Sequence, residues 1–355
     1  MADNKNQHYV PRCYLKPFSL NREGKAINLY NISNDRLIQN ASVRGQCSKD
    51  YFYGEDLAYE RNLQKVEGRY SAIVRKVGDA SANLTEDDMS FLRDFSYLQF
   101  SRTETAIIRT RLAMMKMEAA AFEGSEHLMP DPDYGDRRLM RQAMRRFEET
   151  VHHLDDLKTC LIHNLTQIPF VTSDDPAVLT NRLYAQRVGR RYGGAGITNA
   201  GVMMFLPLTP SFAAVTYDGD VYTAAGKKGS TVDATRGSDI LGINELQYLK
   251  SSENIYFHDW GMAAAVQKEF KSVEARRLKA WHEVSVAVLD QEGDGWSRYR
   301  VAHSREERVG SQESIIRLSA KFPIPSKWCS NLRFRSKPRF IDTKSGAGLQ
   351  RRPRH

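Results

Sequence analysis

The sequence predicts an α+β fold, because segments with helical periodicity come first and short strand-like segments follow. Apolar residues recur at three- and four-residue steps in the region of residues 55–155, which is typical of amphipathic helices. From residue 157 to residue 290 short apolar runs dominate, without regular alternation of strands and helices. That arrangement is typical of the α+β class. We expect residues 1–330 to form a single globular domain, with a mainly antiparallel sheet followed by C-terminal helices.

The N-terminal part is predicted to be an extended arm followed by a β-hairpin. Residues 7–18 are rich in aromatic side chains, whereas the ends of most chains are polar and frayed. Pro11 and Pro17 each favour an extended conformation of the residue before them. Two apolar runs, Lys25–Asn31 and Arg36–Gln39, flank a cluster of turn-forming residues and therefore predict a hairpin. We expect the arm to be docked against the helical region.

Three helices are predicted in that region. The first covers Asp56–Val77, and the second begins at Thr85, whose side chain is a favourable N-cap before three acidic residues. We expect the second helix to continue without a break to Ala121, and the third to cover Asp136–Leu154. The polar face of the third helix is rich in arginine and holds Arg137, Arg138, Arg141, Arg145 and Arg146.

The positive charge of the chain is concentrated at its C-terminus. The net charge is +9 over 355 residues, and the segment Ser330–His355 alone holds eight Lys or Arg and one Asp. We expect residues 331–355 to be a basic, disordered tail. Its basic residues alternate with apolar ones, which suits contacts with single-stranded nucleic acid. The alternative is a tail that only increases solubility.

Composition argues against several classes of protein. The four cysteines lack CxxC spacing, which argues against a zinc cluster or a disulfide framework and favours a reducing, cytoplasmic environment. No apolar stretch is long enough to span a bilayer, and the first residues lack the apolar core of a signal peptide. We therefore expect no membrane partner. The GxxxxGK[ST] spacing of a nucleotide-binding P-loop is absent as well.

Two charged residues lie on helix faces that the periodicity predicts to be buried. Glu67 is in the apolar stripe of the first helix, with Glu60 on the same side, and Arg102 interrupts the apolar face of the second helix next to Gln99. An unpaired buried charge costs several kcal/mol, so Glu67 and Arg102 are predicted partners. They form either a structural ion pair or part of a polar pocket between helices. A shifted helical phase would instead leave both in solvent.

Two other places hold candidate site residues. The apolar run 168–171 leads into Thr172, Ser173 and Asp174, a position that often presents hydroxyls and a carboxylate at the edge of a site. The alternative is a turn whose polar side chains cap the backbone. His8 in the arm is a candidate general base, metal ligand or backbone-bonded core histidine, and Arg12 is a candidate substrate contact.

Taken in order, these motifs resemble a bacterial family that is known only as a domain of unknown function. The matching elements are the opening Gln7-His8-Tyr9-Val10-Pro11 with Tyr14, Leu15 and Phe18, then Tyr51–Gly54, Leu63–Glu67, Gln99–Thr103, Phe170–Pro176 and Phe205–Pro210. The resemblance covers roughly residues 5–265 and implies no reaction. Cys13 stands where an aromatic is common, and Asp175 where Asn is common. The resemblance implies that one recurring polar set forms a shared pocket: His8, Glu67, Arg102, Ser173 and Asp174.

Our leading hypothesis is a hydrolase of a phosphate-containing substrate, such as a nuclease or nucleotide hydrolase. His8, Glu67 and Asp174 would act as acid–base groups or as ligands of a divalent cation, and Arg102 would bind an anionic group. The arginine-rich helix and the basic tail favour a nucleic-acid or nucleotide substrate. Analogy with other uncharacterised bacterial families suggests a role as a toxin or a phage-defence effector. The alternatives are a non-enzymatic module that binds nucleic acid or a small ligand, and a purely structural network. The predicted substrate contacts are Gln99, Thr172, Ser173 and Arg12.

Overall fold

The protein combines helices with mostly antiparallel sheets, so the predicted α+β class is confirmed. The computed structural model describes residues 5–54, 58–79, 84–123, 135–189, 196–311, 313–342 and 348–352. The helices are α1 (Arg12–Leu15), α2 (Ala58–Val77), α3 (Glu86–Ser101), α4 (Glu104–Ala121), α5 (Asp136–Thr150), α6 (Gly237–Lys250), α7 (Ala263–Val273) and α8 (Arg305–Gly310). Within the described residues, no helix is long and apolar enough to cross a membrane.

The strands form two larger sheets and several smaller ones. The strands are β1 (Asn6–His8), β2 (Ala26–Asn31), β3 (Arg36–Ser42), β4 (Ser48–Asp50), β5 (Lys158–Asn164), β6 (Thr172–Ser173), β7 (Val178–Asn181), β8 (Val202–Thr209), β9 (Phe212–Tyr217), β10 (Tyr222–Ala224), β11 (Thr231–Ala234), β12 (Asn254–Phe257), β13 (His282–Gly293), β14 (Trp296–Val301), β15 (Ser314–Ala320), β16 (Leu332–Phe334), β17 (Ile341–Asp342) and β18 (Leu349–Gln350).

The two larger sheets bring distant parts of the sequence together. One has the strand order β11-β5-β9-β8-β7 and is antiparallel except for the pair β11–β5. The other has the order β3-β2-β12-β6, so the predicted N-terminal hairpin joins the sheet that contains Thr172 and Ser173. Strands β13, β14 and β15 form a separate antiparallel sheet that packs against α4. The hairpin is thus confirmed, and its sheet includes the candidate site segment Thr172–Ser173 as strand β6.

The N-terminal arm is docked, but only its first part is extended. Strand β1 pairs with β4, and Tyr14, Leu15 and Phe18 are completely buried. The expected extended geometry is wrong for residues 12–18, which form α1 and a short 3-10 turn. Pro11 is an extended N-cap and Pro17 lies at the start of the 3-10 turn, where its fixed φ is compatible with helical geometry.

The prediction of a single helix from Thr85 to Ala121 is wrong, because the helix is interrupted between α3 and α4. Thr85 does cap α3 in a capping box with Asp88. Arg102 then leaves the helical conformation, and the Thr103 hydroxyl accepts a hydrogen bond from the Ala106 backbone N–H at 3.3 Å. Thr103 is therefore the N-cap of a second helix.

The C-terminal segment is folded where the structure describes it, which corrects the prediction of a disordered tail. Strand β16 pairs with β10, and the Leu332 side chain is only 1% exposed. Alternating apolar and basic residues place Leu332 and Phe334 on one face of a strand and Arg333 on the other. The pattern that we assigned to an unfolded tail is also the pattern of an edge strand.

Candidate functional site

Arg102 is the centre of a buried polar cluster between α2, α3 and the N-terminal arm. Its side chain is 1% exposed. Its Nε donates to the Tyr53 hydroxyl at 2.8 Å. Its Nη2 donates both to the His8 carbonyl at 2.8 Å and to Glu67 Oε1 at 3.1 Å. The predicted Glu67–Arg102 pair is therefore present. Burial alone would disfavour the charged guanidinium, but the Tyr53 and Glu67 oxygens raise its pKa.

Two carboxylates lie at the outer edge of this cluster. Glu67 is ion-paired with Arg102 but keeps 25% of its side chain exposed. Glu60 is half-buried two helical turns earlier on α2. Burial and the negative charge of Glu67 raise the pKa of Glu60 above its usual value. One carboxyl is thus paired with a cation, while the other binds its proton more tightly than usual.

His8 joins the cluster through its backbone carbonyl, while its imidazole faces another segment. Nε2 lies 3.2 Å from the Arg44 carbonyl, and it donates in this contact because a carbonyl oxygen only accepts. Burial, with a contribution from the charges of Arg12 and Arg102, lowers the pKa of His8 to about 4. The imidazole is therefore neutral at pH 7. The predicted substrate contact Arg12 is an exposed residue of α1.

Several buried polar atoms next to this cluster have no hydrogen-bond partner. They are both amide atoms of Gln99, Nη1 of Arg102 and the hydroxyl of Tyr70. Gln99 and Arg102 are three residues apart at the end of α3, a spacing that places side chains on one helix face. Unpaired buried polar groups are costly, so such atoms usually bind a water molecule or a ligand.

A small cavity lies on the other side of Tyr53. It is too narrow to hold a water molecule and is lined by Tyr53, Tyr59, Met140, Arg141 and Met144. Its walls come from the turn before α2, from α2 itself and from the arginine-rich helix α5. Tyr53 thus separates the guanidinium of Arg102 from a cavity that has a second arginine in its wall.

The turn at Thr172–Asp174 is held in place by the surrounding backbone and side chains. The Asp174 carboxylate accepts hydrogen bonds from the backbone N–H groups of Ser252, Glu253 and Asn254 at 2.8, 2.6 and 3.0 Å. Burial raises the pKa of Asp174 to about 6, although the three N–H groups oppose that shift. These bonds occupy both oxygens, and they match the backbone-capping alternative for this turn.

The two hydroxyls of the turn are also engaged. The Tyr14 hydroxyl donates to the Pro207 carbonyl at 2.6 Å and therefore accepts from Thr172 at 2.7 Å. Ser173 donates to Gln247 Oε1 on α6 at 2.9 Å. Arg102 thus bonds directly to the His8 carbonyl and to Glu67, whereas the turn residues are bonded to other parts of the fold.

Sequence reasoning missed a second buried cluster around Asp175. Its carboxylate accepts from the Thr103 hydroxyl and from Arg109, both at 3.0 Å, and forms an ion pair with Lys250. Burial lowers the pKa of Lys250 to about 7, against the opposing effect of Asp175. The only sequence signal was a lysine that directly follows the apolar pair Tyr248-Leu249 at the end of α6.

The candidate residues do not provide an evident metal site. Within the described ranges, no group of three or more His, Cys, Asp or Glu side chains has the geometry to hold a metal ion. The oxygens of Asp174 are already bonded to backbone N–H groups. The arrangement therefore does not fit the predicted set of cation ligands, and acid–base chemistry is better supported by the residues present.

Comparison with known proteins identified one family and no other relative. A family described as "Protein of unknown function (DUF4238)" matches residues 6–260. Searches of curated proteins and of solved structures found no match. The matched span contains the Arg102 cluster, the Thr172–Asp174 turn and Asp175, and it ends before β13.

Proposed function

The chain belongs to the DUF4238 family of proteins of unknown function, and we propose that it is a hydrolase that acts on a phosphate-bearing substrate. The observation that carries the proposal is the pair of unlike carboxyls beside Arg102. Glu67 is ion-paired with the guanidinium, whereas Glu60 has a raised pKa. Two carboxyl groups whose environments differ in this way are typical of a general base and a general acid.

The proposed reaction divides the proton transfers between these two groups. Glu67 accepts a proton from the attacking water, and protonated Glu60 donates a proton to the oxygen that leaves from phosphorus. Seven residues of helix separate them by about 10 Å along the axis and leave both on the same side of α2. Arg102 keeps Glu67 in position through their ion pair.

Unpaired donors and surface arginines support a phosphate-bearing substrate. Arg102 Nη1 and the Gln99 amide are buried without partners, so their hydrogen-bonding capacity remains for a ligand. On α5, Arg137, Arg138 and Arg141 are exposed, and Arg141 also lines the narrow cavity beside Tyr53. A cluster of positive charge attracts anionic substrates and speeds their encounter with the site.

The α5 surface is a better candidate for nucleic-acid contact than the C-terminal segment. Arg335 donates to the Gly219 carbonyl at 2.6 Å, and Arg339 forms an ion pair with Asp220 at 2.7 Å. Phe334 is covered by the guanidinium of Arg187, at 3.7 Å from its ring centroid. These C-terminal side chains therefore already contact other parts of the fold, whereas α5 presents a row of exposed arginines.

The first experiment is a hydrolysis screen with the full-length protein. The substrates are bis(p-nitrophenyl) phosphate, p-nitrophenyl phosphate, single-stranded DNA and RNA, each tested with Mg²⁺ and with EDTA. We expect turnover by wild type and a loss of about 10²–10⁴-fold in Glu60→Gln, the usual contribution of a general acid. Glu86→Gln, an exposed carboxyl of α3, is the matched control and should retain wild-type activity.

A non-enzymatic binding module is the second candidate. It is favoured by the Gln99 amide and Arg102 Nη1, because buried polar atoms without a partner usually bind a water molecule or a ligand and need no reaction to explain them. Under this alternative, wild type turns over none of the four substrates but binds one of them. Binding is then lost in Gln99→Leu, while the melting temperature of that variant stays at or above the wild-type value, because an unpaired buried amide has been removed.

A further inference from the structure

A second electropositive site lies at the junction of α4, α5 and β13. Lys116 on α4 donates to the His282 carbonyl at 3.0 Å, and Arg146 on α5 is close enough for its charge to act on the His282 imidazole. Arg109 on α4 acts on the same ring from the buried side. Asp175 is ion-paired with Arg109 and Lys250, so the surplus positive charge of the junction comes from Lys116 and Arg146. The junction therefore has an excess of positive charge.

The His282 ring contributes an unused polar atom to this junction. Its Nδ1 is buried and has no hydrogen-bond partner. Burial, followed by the charges of Arg109, Arg146 and Lys116, lowers the pKa of His282 to about 4, so the ring is neutral at pH 7. A neutral imidazole can donate to an anion or accept from a hydroxyl. The atom without a partner thus belongs to the residue whose carbonyl binds Lys116 and whose ring is in the field of two further arginines.

Aromatic side chains form the wall of the same junction. The Trp281 ring lies 5.8 Å from the Arg109 guanidinium and 5.9 Å from Lys250 Nζ. Phe100 lies 4.1 Å from the Arg109 guanidinium. Trp281 is only partly buried, which leaves ring surface open to solvent. A flat aromatic group beside converging cations is the combination that binds a base and a phosphate together.

We propose that this junction binds a small ligand that carries both a phosphate group and an aromatic ring, such as a nucleotide. Lys116 and Arg146 bind the phosphate, His282 Nδ1 adds a hydrogen bond, and Trp281 stacks on the ring. Trp281 and His282 lie beyond residue 260, where the family match ends, so the site is not a shared feature of the matched span. The proposal does not depend on the hydrolase site at Glu60 and Glu67.

The test is isothermal titration of the full-length protein with AMP and, separately, with inorganic phosphate. We expect AMP to bind more tightly than phosphate, because only AMP can stack on Trp281. Arg146→Ala and Lys116→Gln should each weaken AMP binding about tenfold, as expected for the loss of a charged contact. Arg145→Ala is the matched control, because Arg145 is exposed on the same helix and is paired with Glu149.

A third variant distinguishes stacking from charge. Trp281→Leu should remove the preference for AMP over phosphate while phosphate affinity is kept. The absence of measurable binding of either probe to wild type would overturn the proposal, as would unchanged AMP affinity in both Arg146→Ala and Lys116→Gln. Glu60→Gln should bind AMP like wild type, so a failure of the hydrolase proposal and a failure of this one give different results.

Discussion

The Gln7 side chain bonds twice to the turn that precedes α2. Its Oε1 accepts from the Tyr53 backbone N–H at 2.7 Å, and its Nε2 donates to the Gly54 carbonyl at 3.1 Å. That turn positions the Tyr53 hydroxyl against Arg102. At the scale of single residues, polar side chains of the family motifs such as Gln7 therefore hold segments in register. Glu60 and Glu67 are the residues that we propose for acid–base chemistry.

Asp174 is predicted to be a stabilising residue. Asp174→Asn replaces one of two acceptor oxygens with an amide that donates, so it disrupts bonds to three backbone N–H groups. We expect a loss of about 2–3 kcal/mol in the free energy of unfolding, measured by urea denaturation. The control is Asp294→Asn at an exposed turn, which should be neutral. Equal stability of the two variants would contradict this role.

Stability is predicted to depend on pH through two histidines. His8 and His282 both have a pKa lowered to about 4 in the folded protein, below the value near 6.5 of an unfolded chain. Between these values each histidine binds more protons in the unfolded state, so the contribution of the two histidines to the free energy of unfolding falls as the pH is lowered from 6.5 to 4. A double variant His8→Gln and His282→Gln should show a smaller slope in that window. An identical slope would contradict the assignment.

At the scale of elements, the break between α3 and α4 links the two buried clusters. Arg102 ends α3 inside the first cluster, and Thr103 begins α4 beside Asp175. The extended backbone of Thr103 lets its hydroxyl accept from the Ala106 N–H and donate to Asp175. The break therefore gives Thr103 its cap bond as well as its contact with the second cluster.

Thr103 is predicted to contribute more than an ordinary N-cap. Thr103→Ala loses the cap bond to Ala106 and also the buried bond to Asp175. We expect a cost of about 2–3 kcal/mol, the sum of a cap and a bond to a charged group. Thr85→Ala removes the cap of α3, which is exposed at Thr85, and should cost only about 1 kcal/mol. Equal costs in urea denaturation would contradict the role of the Asp175 bond.

The sequence predicted elements well where the signal was local. The periodicity of α2, the capping box of α3 and the turn residues of the hairpin are all short-range features. The break at Arg102 was missed because no Pro or Gly marks it and Thr103-Glu104 is a cap signal within a helical pattern. Strand β16 was missed because its partner β10 is about a hundred residues away in the sequence.

At the scale of the whole molecule, the C-terminal segment contributes to the hydrophobic core beside the five-stranded sheet β11-β5-β9-β8-β7. Leu332 belongs to the same hydrophobic cluster as Val232 and Ile243. We expect Leu332→Ala to cost about 2–5 kcal/mol, as other large-to-small core substitutions do. Arg333→Ala, the exposed neighbour on the same strand, should change stability by less than about 0.5 kcal/mol. Equal, negligible effects would indicate a segment that does not pack.

The candidate site shows the same division between local and distant signals. Glu67 and Arg102 were predicted because each charge interrupts a helical apolar stripe. Asp175, Arg109 and Lys250 come from three separate segments, and nothing local marks them as partners. Such a cluster becomes visible only when the long-range contacts are known.

The most direct test of the acid–base role of Glu60 is the pH dependence of kcat/KM for phosphodiester hydrolysis. The raised pKa of Glu60 means that its proton is lost at higher pH than for an ordinary carboxyl. A general acid must be protonated, so we predict that wild-type kcat/KM falls as the pH rises through this pKa. The Glu60→Gln variant should have a lower kcat/KM, and its kcat/KM should not show this fall at rising pH. An unchanged rate and an unchanged pH profile in Glu60→Gln would contradict the account.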